Sequence, residues 1–266
     1  MNAFKQLLEQ SAATTPVGTW IMSASPIVCE AMGHAGFDWG VIDMEHTPLD
    51  LMNLVHMLQA VSGTALAPVV RVPWNDTVNI KRVLDAGATT LLIPFVQNAD
   101  EARAAVAATR YPPEGRRGMA GMSRASRFGT TPHYLTTANT GMAVIVQLET
   151  AEAIAELEAI AAVPGVDALF IGPGDLSATM GHVGQLTHPA VLALTADAVA
   201  RARALGKPIG TVGGTHDVVA QYRTMGFDFV AIASDLGLLM RSAQTALADV
   251  RNGRAGAAAP QTNGGY

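Results

Sequence analysis

Two carboxylates stand just past consecutive apolar runs: Glu149 follows AVIVQL, and Asp175 follows ALFIGPG. If the two runs are neighbouring strands, both side chains can face one point. Two carboxylates with open remaining positions suit a hard, oxygen-seeking ion such as Mg2+ or Mn2+. Each could equally cap the helix after it, and Asp175 stands directly before LSATM. His46 lies in DMEH after another apolar run, and Arg71 ends the run APVVR. An imidazole titrates near neutral pH and suits a general base, although a loop histidine is as readily structural. A lone arginine can hold a carboxylate or stabilise a growing oxyanion; its alternative is an ion pair with Asp43 or Glu45. Gln147 stands two residues before Glu149. Gly172 and Gly174 flank a tight turn whose N–H groups could cradle a carboxylate or phosphate.

What must position these groups is an alternation of short apolar runs with longer helical patterns. Strands are expected near 17–22, 39–44, 67–72, 90–95, 143–148, 168–172, 208–212 and 228–233, apolar enough for burial on both faces. Helical patterns follow, among them 49–61, 78–86, 99–109, 151–161, 189–205, 218–225 and 237–250. Asn75 or Asp76 can cap one, while Gly87, Gly206 and Gly226 can end others. Eight such repeats in about 250 residues predict a (β/α)8 TIM barrel, with an open doubly wound sheet as the alternative. The barrel is expected as one domain over residues 1–253. The remainder, 254–266 (RAGAAAPQTNGGY), changes sharply in composition and is expected to be a flexible tail.

In such barrels chemistry sits at the C-terminal ends of the strands. His46, Arg71, Gln147, Glu149 and Asp175 all fall there, whereas the other mouth offers Lys207 and Asp228. The connection Arg110–Gly141 is long and carries Arg116, Arg117, Arg124 and Arg127 among glycines. An anion-facing loop over the barrel mouth is expected.

Composition narrows the function. The chain has 266 residues and a formal net charge of -5, which gives no footprint for nucleic acid. No apolar run approaches a membrane span, and the first ten residues read as an amphipathic helix. Cys29 is the only cysteine, so a reduced cytoplasmic setting is the simplest reading. Aromatics are 5% of residues, so the core is expected to be aliphatic. The lysines are Lys5, Lys81 and Lys207: two on helices, the third before a strand at the wrong mouth. Imine chemistry needs a lysine inside the barrel. If an enolate is made here, a metal must hold its charge.

The motifs GTW (18–20), FDWGVIDMEH (37–46), VVRVPWND (69–76), LLIPFVQNADEA (91–102), RYPPEGRRG (110–118), SRASRFG (123–129), VQLET (146–150) and FIGPGDLS (170–177) resemble the HpcH/HpaI family of class II aldolases. The resemblance runs to about residue 250. It implies a Mg2+-, Mn2+- or Co2+-dependent barrel that makes the enolate of pyruvate or a related 2-oxo acid and joins it reversibly to an aldehyde. By position it implies Glu149 and Asp175 as metal ligands and His46 as the base. Arg71 matches the group that stabilises the enolate, and Gln147, Gly174 and Asp175 match contacts to the oxo acid. Asp85 matches an acid that raises the basicity of the histidine, although it falls late in a helix that should run away from the mouth. A homohexamer with exchanged C-terminal helices is also implied. A metal-dependent decarboxylase acting on oxaloacetate would use the same enolate without an aldehyde site. A non-catalytic oxo-acid-binding barrel would keep Arg71 and the GPGD turn without any exchange chemistry.

Overall fold

The computed structural model describes residues 2–11 and 14–253; the expected tail, 254–266, lies outside the described residues. Eight parallel strands close into a barrel in chain order. They are β1 (Val17–Ile21), β2 (Trp39–Asp43), β3 (Ala67–Arg71), β4 (Thr90–Ile93), β5 (Ala143–Leu148), β6 (Ala168–Ile171), β7 (Ile209–Gly213) and β8 (Phe229–Ser234). All eight fall where the apolar runs predict them, with ends within two residues. The fold is the expected (β/α)8 barrel.

Helices α1 (Ala3–Gln10), α2 (Pro26–His34), α3 (Leu51–Val61), α4 (Thr77–Asp85), α5 (Ala99–Thr109) and α6 (Tyr134–Gly141) belong to the first half of the chain. The second half adds α7 (Ala151–Ala155), α8 (Leu157–Ala161), α9 (Pro173–Thr179), α10 (Pro189–Ala204), α11 (His216–Met225) and α12 (Asp235–Arg251). The pattern at 151–161 is not one helix, because the backbone turns at Glu156 (ψ 10°) and splits it into α7 and α8. Several helices start on a side-chain cap: Asp76 accepts from the Val78 and Asn79 amides, and Thr150 from Ala153.

Two apolar layers hold the barrel. The outer one packs strand residues such as Ile42, Val70 and Leu169 against helix residues such as Leu54, Ile80 and Val199. The inner one is not purely aliphatic, although the low aromatic content suggested an aliphatic core. Phe4, Trp20, Trp39, Phe170 and Phe229 all sit inside the barrel, joined by tilted and edge-to-face contacts. A few large rings fill a barrel lumen that many small side chains would otherwise have to fill. Room for them comes from glycine on the paired strand. A Cβ on Gly18 would lie 2.3 Å from Trp39, and one on Gly210 2.2 Å from Phe229.

The arginine-rich connection lies at the opposite end of the barrel from the one expected. It links α5 to β5, and the helices of this fold return the chain to the N-terminal ends of the strands. Only the loops that follow strands reach the C-terminal mouth. Within the connection, Arg124 donates from Nη1 to the Ala86 carbonyl at 2.9 Å, and Arg117 from Nη2 to Asp85 at 2.7 Å. It is also not structureless, since it contains α6.

Candidate active site

β2, β3, β5 and β6 deliver their last residues to one cavity of about 330 Å3 at the C-terminal mouth. Its wall includes His46, Arg71, Gln147, Glu149, Gly174 and Asp175, six of the seven residues singled out in the sequence. The seventh, Asp85, is not brought there within the chain. α4 starts at the mouth and runs away from it, so its last residue ends at the far side, paired with Arg117.

Arg71 makes the ion pair that the sequence allowed, and does so with both Asp43 and Glu45. Its Nε and Nη2 donate to the two oxygens of Asp43 at 2.8 and 2.7 Å, and its Nη1 lies 2.7 Å from Glu45 Oε2. A guanidinium has five N–H groups; Asp43 takes two of them and Glu45 is a charge partner only, so N–H groups on both terminal nitrogens remain for a ligand. The Trp20 ring lies 5.6 Å from the guanidinium carbon. Burial alone would weaken the charge. The bond to Asp43, with the charges of Asp43, Glu45 and Glu149, outweighs it and raises the pKa further.

Glu149 is 1% exposed. Its Oε2 accepts from the Phe95 amide at 2.9 Å, and its Oε1 from Gln147 Nε2 at 2.5 Å. Burial first, then the nearby Glu45 and Asp175 carboxylates, push its pKa up to about 8, against the opposing pull of the Phe95 amide and Arg71. Burial likewise raises Glu45, despite Arg71. Gly172 serves less for its turn than for its missing side chain: a Cβ there would lie 2.5 Å from Glu149 Oε1 and 2.6 Å from Gln147 Nε2. At Gly174 the same space is open. Asp175 is half-buried in the first turn of α9, whose N-cap, Gly172, offers no side chain.

These groups fit a divalent ion by their chemistry. Glu45, Glu149 and Asp175 crowd negative charge around a single arginine, and the Gln147 Oε1 oxygen is buried without a partner. A cation here would lower the cost that raises Glu149. Among the described residues no cluster of three or more His, Cys, Asp and Glu closes on one point. A hard ion accepts such a sparse set, because it keeps positions for substrate and water.

His46 stands at the cavity rim with 60% of its side chain exposed. Its nearest carboxylate is Glu45, 3.9 Å from Nε2. Asp43 is unavailable to it, held by Arg71 and by the Glu45 amide. The opposite wall is apolar, with Met22, Leu186 and Val212. Leu186 and Val212 could not be singled out from residue type, since neither adjoins a candidate site residue in the chain. Glu45 was named only as an ion-pair partner for Arg71, and the Phe95 amide was missed. Glu45 lies inside the DMEH motif, but a backbone N–H leaves no trace in residue type.

A polar cavity at the C-terminal mouth of a (β/α)8 barrel is where enzymes of this fold carry their chemistry, and the comparisons give the family. The family model of the HpcH/HpaI aldolase/citrate lyase proteins matches residues 17–242, and the chain belongs to that family. It is 51% identical over 249 residues to 2-dehydro-3,6-dideoxy-6-sulfogluconate aldolase of Pseudomonas putida, covering 94% of this chain and 96% of the relative. It is 47% identical over 243 residues to 5-keto-4-deoxy-D-glucarate aldolase of Salmonella arizonae, covering 91% and 94%. A crystal structure of a family protein from Burkholderia cenocepacia J2315 superposes with a TM-score of 0.90 at 42% identity, over 94% of this chain and all of that one. No helix among the described residues is long and apolar enough to cross a membrane.

Proposed function

We propose that this enzyme is a metal-dependent aldolase that forms the enolate of pyruvate or a related 2-oxo acid and adds it reversibly to an aldehyde, giving a 4-hydroxy-2-oxo acid. The observation that carries the reading is the convergence of Glu149, Asp175, a half-committed Arg71 and His46 on one cavity. Glu149 and Asp175 would hold the ion. A bound Mg2+, Mn2+ or Co2+ supplies positive charge for the oxygens of the oxo acid.

The protein's own groups account for the rest. The free N–H groups of Arg71 stabilise the charge that grows on the keto oxygen as the methyl C–H bond breaks. Gln147 and the Gly174–Asp175 backbone orient the oxo acid. His46 takes the methyl proton, and its exposure at the rim lets it exchange that proton with the medium. The enolate carbon then attacks the aldehyde carbon, and the new alkoxide takes the proton back from His46. Cleavage runs the same path in reverse. Asp85 would act on a His46 only from another copy of the chain, as the hexamer reading allows. Both curated relatives are named for deoxy sugar acids, which supports a substrate of that type.

Exhaustive chelation with EDTA should abolish activity, and Mn2+, Co2+ or Mg2+ should restore it. Full activity after chelation would sink the metal reading. In D2O, metal and pyruvate should give methyl exchange, and a panel of aldehydes should give new carbon–carbon bonds. Exchange with no bond formation would point to the oxaloacetate decarboxylase instead.

A further inference from the structure

The segment Pro94–Gln97 between β4 and α5 grips the end of β5 at three places. The Phe95 N–H donates to Glu149 Oε2 at 2.9 Å. The Val96 N–H donates to the Gln147 carbonyl at 3.1 Å. The Thr150 hydroxyl donates to Gln97 Oε1 at 2.7 Å. One of these contacts rests on an unusual backbone. Phe95 has φ 56°, in the left-handed region that a bulky side chain rarely adopts. Such a conformation persists only where the surroundings over-determine it.

Trp74 supplies that constraint from the loop between β3 and α4. Its ring stacks on Phe95 with centroids 5.9 Å apart and planes at 27°. Trp74 is itself 53% exposed and lines no part of the cavity, so its contribution to the core is small. Its loop is also tied to the same segment. Asn75 donates to the Glu101 carbonyl at 3.0 Å, and the Glu101 carboxylate accepts from the Gln97 amide at 2.9 Å.

We propose that Trp74 is a positioning residue: its stack on Phe95 holds the left-handed backbone that aims the Phe95 N–H at Glu149 and so fixes this carboxylate for a divalent cation. The proposal rests on the reading of Glu149 as a metal ligand. Without the stack, Phe95 relaxes towards negative φ and its N–H turns away. Glu149 then keeps only Gln147 as a donor and loses its fixed orientation. Partners that orient a ligand commonly change metal affinity by about 10- to 100-fold.

The test is calorimetric titration of the full chain with Mn2+, combined with hydrogen–deuterium exchange at the Phe95 amide in metal-free protein. Trp74→Ala should weaken Mn2+ binding about 5- to 20-fold and speed Phe95 exchange at least about tenfold. Trp74→Phe keeps a ring in place and should stay within about twofold of wild type in both. Phe95→Gly keeps the N–H and adopts positive φ unaided. In that background, adding Trp74→Ala should change Mn2+ affinity by less than about twofold. Wild-type affinity and exchange in Trp74→Ala would overturn the proposal. So would an equal loss of affinity with and without Phe95→Gly, since Trp74 would then act by another route. If the wild-type chain takes up no Mn2+, the metal reading itself falls. The exchange rates then decide whether Trp74 holds Phe95 at all.

Discussion

At the mouth, Asp43, Glu45 and Glu149 share Arg71 with Asp175 close by, whereas at the opposite end Asp85 has Arg117 to itself and further arginines bind backbone carbonyls. The direction of the helices explains the sorting. Strand-to-helix loops bring helix N-termini to the mouth, where the macrodipole favours carboxylates. Helix C-termini gather at the other end, where it favours cations. Arg124 on the Ala86 carbonyl at the end of α4 is such a contact. The arginine run thus answers to the fold at the opposite end, while the carboxylates at the mouth are left with more charge than Arg71 can balance. An imbalance that burial makes costly is a place for a cation; a matched pair is a place for stability.

The largest test of that contrast is Glu149→Gln. It should lower metal affinity and turnover by at least about 100-fold, read by calorimetry and steady-state rates, with no loss of thermal stability. A variant that still binds Mn2+ normally would break the contrast at its centre. Gly172→Ala should follow at about tenfold weaker metal binding, because its Cβ would displace the Glu149 carboxylate, while Gly174→Ala, with open space, should stay within about twofold.

The pH dependence of stability carries a definite sign. Glu149 titrates higher in the folded chain, about 8, than its ordinary 4.5, so between those values the native state binds more protons than the unfolded one. Metal-free stability should therefore fall as pH rises from 4.5 to about 8, with a limiting slope of about 1.4 kcal/mol per pH unit. Denaturant melts with and without saturating Mg2+ would measure it, and bound metal or Glu149→Gln should flatten the slope. At the other end, Arg117→Met should cost about 1–3 kcal/mol by the same melts, with the proton-exchange rate on pyruvate unchanged. A shifted pH profile of that exchange would show that the Arg117–Asp85 pair serves a mouth as well as its own helix end.

The strands were legible because parallel strands buried on both faces must be runs of apolar residues, and each of the eight was. The mouth was legible for the same reason: once strand ends are known, the fold says which side chains point out of them. The inner core was not. Composition counts aromatics but does not say that Trp39 and Phe229 face one lumen opposite glycines nineteen residues or more away in the chain. The arginine connection was misplaced because a run of cations reads alike at either end of a barrel.

Residue types and their places at strand ends determined the barrel, the cavity wall of His46, Arg71, Gln147, Glu149, Gly174 and Asp175, and the family. Only the tertiary structure decided how those groups are engaged. Arg71 keeps N–H groups to offer because Asp43 takes only two of its five, while Glu45 is a close charge partner without a hydrogen bond. Glu149 is held by a backbone amide from a loop 54 residues away. Asp85 ends on the far side because a helix has a direction. Hydrogen-bond partners, burial and backbone amides are properties of packing, and they decide which ionisable group is free to act.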